Sequence, residues 1–264
     1  FLFCVCFTIL LGQEYSYFFY DDNLVVPDNN ALQASTGMTI EAWVRLTFTG
    51  TIDDFVGITH YLTLNGPTEE SGFSLMYFDG AWRFIVSVGT GQNDIFGNNG
   101  LALWPSIDLA VDEWNHIAGT YDEASTEASI YKNGILQETF TTVGGNVNWD
   151  YINTDLLFGK GVDNGAVERF FNGNIDEIRL WDIALSQTEI NNWMCTSIDS
   201  SHPNYVNLMG YWNLNEGIGS YTDDQTANGN NGTLFGGTTW QASSSCLSGA
   251  ILCGDRSEEH TSEL

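Results

Sequence analysis

Positive charge is what this 264-residue sequence has least of: seven Lys and Arg stand against 34 Asp and Glu, giving a formal net charge of −27. A surface of that sign repels phosphate backbones and anionic lipid, which excludes nucleic-acid partners and electrostatic adsorption to membranes. Long apolar runs are missing too. A bilayer-crossing helix needs roughly 20 such residues, so no membrane insertion is expected. Helical periodicity is nearly absent, and proline is scarce at four residues. What fills the chain instead is glycine (28 residues) and aromatics (9 Trp, 11 Tyr and 16 Phe). They sit in many short β-rich segments broken by Gly, Asn and Asp, the pattern of a two-sheet sandwich or barrel.

The ends are read separately from the body. Phe1 to Gln13 is an apolar stretch closed by a small polar break, like the hydrophobic region of a secretory signal peptide; residues 1–13 are expected to be its remnant. Residues 256–264 resemble the translation of a sequencing adapter and are set aside, and 249–255 are expected to begin a downstream region. Residues 14–248 remain for the sandwich, a length that suits one all-β domain. A secreted or cell-surface location follows, with further domains of the same chain expected. In that oxidising setting Cys195 and Cys246 are expected to pair, with Cys246–Cys253 as the rival bridge.

Strand signals recur along the body. Tyr15 to Tyr20 and Leu24 to Val26 flank Asp21-Asp22-Asn23, which reads as turn chemistry. Thr39 to Leu46 alternates, with Ile40, Ala42, Val44 and Leu46 on one face and Thr39, Glu41, Trp43 and Arg45 on the other. Asp79-Gly80 and Asn133-Gly134 each mark a tight hairpin, the latter a type I′ turn. Further strands are expected over Trp114 to Tyr121, Ile175 to Trp181, Met209 to Leu214 and Thr233 to Phe235, with Trp43, Trp114 and Trp181 supplying large buried area between the sheets. Ile52 to Ser71 and Gly89 to Gly100 read as loops at one end of the sandwich. There Tyr61, Phe96 and Trp104 are candidate stacking faces for a sugar. One helix is expected: Ser186 with Glu189 forms a capping box, and Ile190 and Trp193 would pack on the sandwich.

Four segments resemble a known family in the order that family shows them. They are Thr39-Ile40-Glu41-Ala42-Trp43-Val44; Trp114-Asn115-His116-Ile117-Ala118-Gly119-Thr120-Tyr121-Asp122 with Tyr131-Lys132-Asn133-Gly134; Gly173-Asn174-Ile175-Asp176-Glu177-Ile178-Arg179-Leu180-Trp181; and Tyr211-Trp212-Asn213-Leu214-Asn215-Glu216-Gly217 through Gly229-Asn230-Asn231-Gly232. Together they resemble the laminin-G-like jelly rolls of the concanavalin-A-like lectin/glucanase superfamily. The resemblance implies an all-β, two-sheet antiparallel jelly-roll sandwich with one short helix. It also implies a non-catalytic module recognising a glycan or an extracellular-matrix-like ligand. A further implication is a rim site for Ca2+, held by carboxylates and carbonyls. Asp22, in the first hairpin, and Asp176 match the family's ligands, with Asp21 behind them. The sequence departs from the pattern at one place: Tyr17-Phe18-Phe19 stands where the family carries Phe-Asp-Gly, and that Asp is lost.

The fold also hosts glycanases, whose signature resembles Glu-x-Asp-x-x-Glu on one strand. Here Asn174 and Arg179 occupy the two Glu positions. On an unbroken strand the adjacent Asp176 and Glu177 would point to opposite faces. A glycan hydrolase or lyase with another constellation, or a purely structural spacer, are the rival readings. His116 has no second His or Cys nearby and reads as structural. Tyr221 to Gln225 and Ala227 to Gly232 read as one folded turn.

Overall fold

The computed structural model describes residues 15–47 except 21, then 56–64, 70–78, 81–89, 112–163 except 143, 151 and 153, 167–236, and 239–243. The expected signal remnant, Asp21, Phe96, Trp104, Cys246, Cys253 and the carboxy-terminal segments lie outside the described residues. No helix among the described residues is long and apolar enough to cross a membrane.

The strands, in chain order, are β1 (Tyr15–Phe19), β2 (Asn23–Val26), β3 (Gly37–Leu46), β4 (Val56–Leu64), β5 (Glu70–Phe78), β6 (Ala81–Val86), β7 (Trp114–Asp122), β8 (Glu127–Lys132) and β9 (Ile135–Thr141). They continue with β10 (Leu156–Phe158), β11 (Lys160–Asp163), β12 (Val167–Phe170), β13 (Gly173–Trp181), β14 (Leu208–Trp212), β15 (Tyr221–Thr222), β16 (Gly232–Phe235) and β17 (Thr239–Ala242). One sheet runs β17-β1-β13-β3-β7-β8-β9, with β14 also paired to β13. The other runs β15-β16-β2-β10-β4-β5-β6, and β11-β12 form a separate hairpin. All pairings are antiparallel. This is the expected jelly-roll sandwich.

Alternation decides the core. Ile40, Ala42, Val44 and Leu46 of β3 face Tyr77, Trp82, Phe84 and other residues of the facing sheet in one continuous cluster. Gly119 shows how closely the sheets approach: a Cβ there would lie 2.3 Å from the Phe84 ring. Asn133 (φ 50°) and Gly134 (φ 72°) form the positive-φ pair of a type I′ turn. Asn133 also fixes the neighbouring strand, accepting the His116 N–H on its Oδ1 at 2.8 Å.

Four expectations are corrected. β1 and β2 do not form a hairpin, because β1 pairs with β13 and β17 while β2 pairs with β10 and β16 in the opposite sheet. The chain crosses between layers from β1 to β2. The supposed loop Ile52 to Ser71 contains β4, whose alternation is broken by a register shift between Gly57 and Thr59. That bulge sends both Ile58 and Tyr61 into the core, three residues apart. Tyr61 is fully buried and hydrogen-bonded to Asp28, so it offers no face to a sugar. Finally, the indoles filling the space between sheets are Trp82 and Trp212; Trp181 belongs to a second cluster on the outer face of the larger sheet.

That second cluster exists because one segment covers the outer face. After β13 the chain runs through α1 (Gln187–Trp193) and a 3-10 turn (Tyr205–Asn207) before returning as β14. Ser186 and Glu189 make the expected capping box, both halves present. Ile190, Leu185 and Ile198 then pack on Ala118, Tyr131, Trp181 and Tyr211, with Trp193 alongside.

Candidate functional site

Beneath this strap lies the largest set of buried charges among the described residues. The deciding local feature is a β-bulge in β13: Asp176 pairs with Trp43, but the next registered pair is Arg179 with Glu41. Two residues of β13 are thus accommodated against one of β3, and Glu177 takes φ 52°. As a result Asp176, directly across from Trp43, and Glu177, ion-paired to Arg179, both point away from the sheet–sheet core. The expectation that they face opposite ways is overturned, since strict alternation does not survive the extra residue.

Arg179 is the hub. Its guanidinium donates to Glu177 Oε2 at 2.8 Å and to the carbonyls of Trp193 and Thr196 at 3.0 Å each. Glu41 Oε1 lies 3.7 Å away. The carbonyl contacts cap the end of α1 with a fixed cation, which also suits the helix dipole. Glu41 in turn accepts the Trp181 indole N–H at 3.1 Å and lies 3.2 Å from His116 Nε2. Tyr211 donates its hydroxyl to Glu177 Oε2 at 2.6 Å. Trp43 donates its indole N–H to the Met194 carbonyl at 2.7 Å.

Burial works against ionisation of Glu41. The nearby His116 ring, the Arg179 charge and the Trp181 indole outweigh it, holding the carboxyl below its ordinary range. For Glu177 burial wins over Arg179 and Tyr211, aided by repulsion from Glu41, and the carboxyl is pushed up. Burial and the Glu177 charge push the Tyr211 phenol up. Arg179 is driven further up, because Glu177 and Glu41 outweigh its desolvation. These groups pair largely with one another under a covering segment, while Glu41 Oε2, Arg179 Nε and both His116 ring nitrogens are buried without a hydrogen-bond partner among the described residues. Such a cluster holds the strap to the sheet; it does not present an acid and a base to a substrate.

The residues expected to hold Ca2+ lie elsewhere. Asp22 is buried at the start of the crossover into β2. Its Oδ1 occupies the place where a Cβ on Gly236 would stand, 1.3 Å from it, so only the bare Cα of Gly236 (φ 117°) fits. Asp176 accepts the Glu177 N–H on Oδ1 at 2.9 Å and the Ser243 hydroxyl on Oδ2 at 2.7 Å. Among the described residues no group of three or more His, Cys, Asp or Glu is placed to hold a metal. A calcium shell takes six to eight oxygens. Those oxygens come from carboxylates, carbonyls and water alike, and Asp21 lies outside the described residues.

Another carboxylate, not singled out from the sequence, organises the closing loops. Asp224 accepts the N–H groups of Tyr211, Thr226 and Asn230 at 3.1, 2.9 and 2.9 Å and the Thr226 hydroxyl at 2.8 Å. Asn230 donates to the Met209 carbonyl at 3.1 Å. The folded turn expected at Tyr221 to Gly232 is thus built around one acid. A signal for the strap network was present: Glu41 and Arg179 share their strand faces with Trp43 and Trp181, and such a mixed face has to be covered.

A laminin-G family model, described as Concanavalin A-like lectin/glucanases superfamily, matches residues 19–191. No curated protein matches the chain in sequence. Among solved structures the chain is similar to a candidate carbohydrate binding protein from Bacteroides ovatus ATCC 8483, with a TM-score of 0.64 and 20% identity over 88% of this chain and 60% of that one. It is also similar to the native heptameric SAP-like pentraxin from Limulus polyphemus, with a TM-score of 0.59 and 14% identity over 89% and 97% of the two chains. At these identities the likeness is one of fold, and the chain spans 60% of the length of the Bacteroides protein.

Proposed function

The chain belongs to the concanavalin A-like lectin/glucanase superfamily, and from that premise we propose that it is a non-catalytic carbohydrate-recognition module, secreted or displayed at a cell surface as part of a larger protein. The observation that carries the non-catalytic half is the commitment of the β13 carboxylates. Glu177 is tied to Arg179 and Tyr211 beneath the strap, and Asp176 to Ser243 and the Glu177 N–H. In a glycosidase two carboxyl groups flank an open groove that admits the glycosidic bond. The name of the Bacteroides ovatus neighbour supports the carbohydrate half.

A polysaccharide panel tests both halves: binding by affinity electrophoresis and reducing-sugar release from the same samples. Retention without release is expected. Release that disappears in Asp176→Asn would overturn the reading. Ca2+ enters as a proposal resting on Asp22 and Asp176, with Asp21 behind them. An unchanged melting midpoint with and without chelator would remove it. The Cys195–Cys246 bridge is likewise proposed, and non-reducing peptide mapping reads it directly.

A further inference from the structure

The outer face of the smaller sheet carries a feature that the fold does not need. Cross-strand pairing sets Tyr221 of β15 opposite Thr233 of β16, and Thr233 opposite Val25 of β2. Phe235 sits two residues beyond Thr233 on the same strand and opposite Asn23. Period-two alternation then places Tyr221, Thr233, Phe235, Val25 and Asn23 on one face. Leu24, Leu234 and Val26 point the other way into the core. Tyr221 and Phe235 are diagonal neighbours across the ladder, with Cβ atoms about 7–8 Å apart or less, and each ring is 53% exposed. A second observation concerns charge: the sequence has no Lys or Arg before Arg45 and none between Arg179 and Arg256. The three strands that carry these residues, β15, β16 and β2, all come from those two stretches, inside a chain of net charge −27.

We propose that Tyr221 and Phe235, with Thr233 and Asn23 between and beside them, form a stacking platform for an uncharged glycan. The proposal rests on the carbohydrate-recognition reading and specifies where, and for what class of glycan, that recognition occurs. Two exposed rings on a rigid sheet offer flat apolar area to the C–H-rich faces of sugar rings at little entropic cost. The Thr233 hydroxyl and Asn23 amide provide neutral donors and acceptors to fix orientation. Uronic, sialic or sulfated chains find no Lys or Arg on these three strands to pair with, and a strongly negative molecule repels them. The same repulsion disfavours a second copy of the chain on this face.

The test is affinity electrophoresis and calorimetry on the intact protein, with neutral polysaccharides (mannan, mixed-linkage glucan, arabinan, galactan) and anionic ones (polygalacturonate, alginate, dextran sulfate). The expected result is retention by at least one neutral polymer and by none of the anionic ones. Tyr221→Ala and Phe235→Ala should each weaken binding on the order of tenfold, the scale of an exposed aromatic anchor. Tyr221→Phe keeps the ring and should stay within a few-fold of the parent, and Ile135→Ala, at an exposed apolar site on β9, should leave binding unchanged. Melting midpoints within about a degree or two of the parent show that the surface variants fold. Neutral-glycan binding that neither alanine variant weakens overturns the platform while leaving the recognition reading intact. Binding confined to anionic polymers overturns the assignment of an uncharged ligand. Retention by no polymer at all overturns the recognition reading, and the platform falls with it.

Discussion

Replacing Arg179 by Met is the sharpest perturbation of the strap. Met keeps the length and apolar stem of the side chain but removes the guanidinium. Glu177 and Glu41 then lose their cation, and the carbonyls of Trp193 and Thr196 lose their donors. All of this happens at a residue that is 1% exposed. Breaking one partner of a buried charge network typically costs about 3–5 kcal/mol, because the remaining charges stay buried. For a domain of this size each kcal/mol lowers the melting midpoint by roughly 2–4 °C, so a fall on the order of 6–20 °C is expected. Urea denaturation followed by fluorescence gives the free energy, and limited proteolysis between Asp182 and Asn207 reports whether the strap is the part released. Adding Glu41→Gln and Glu177→Gln to Arg179→Met should recover part of the loss by removing the stranded charges. A loss below about 1 kcal/mol would refute the reasoning, since it is the cost of a solvated surface pair.

Two further outcomes are expected. Gly119→Ala forces a methyl group against the Phe84 ring of the facing sheet; overpacking of this kind costs about 1–3 kcal/mol, read as a shift in the urea midpoint at constant m-value. His202 lies between Trp181 and Trp193, at ring-centroid distances of 4.6 and 4.7 Å. Burial there lowers its pKa, with Arg179 adding to the shift and Glu41 and Glu189 opposing it. Below about pH 6.5 the unfolded chain takes a proton that the folded imidazole resists, so stability falls with pH from there down to the depressed folded value. Chemical denaturation at stepped pH should show that slope in the parent and a smaller one in His202→Gln; equal slopes would contradict the assignment.

Where residues obeyed a simple period, the sequence was readable. Thr39 to Leu46, the Asn133-Gly134 turn and the Ser186/Glu189 capping box are local patterns, and the structure realises them. Two bulges hid what alternation would have revealed. The one at Ile58 disguised β4 as a loop and made buried Tyr61 look like a surface aromatic. The one at Glu177 turned two adjacent acids to the same side. Neither is encoded in spacing alone, because a bulge is fixed by the partner strand, far away in sequence. The Arg179 network was invisible for the same reason: Glu41, His116 and Tyr211 reach it from three other strands. Asp22 and Asp176 were recognisable as acids on particular elements, whereas Ser243, which donates to Asp176, comes from a distant segment.

The pairing of β1 with β17 bears on how the domain responds to being pulled. Tyr15 lies opposite Ala242, so the first and last described strands meet at one end of a single antiparallel ladder. Tension entering through one strand and leaving through the other would load that end first and part the rungs in succession, as a zipper opens. A domain strung this way yields gradually from its seam, and the buried layers behind it bear load only after the outermost ribbon has peeled away.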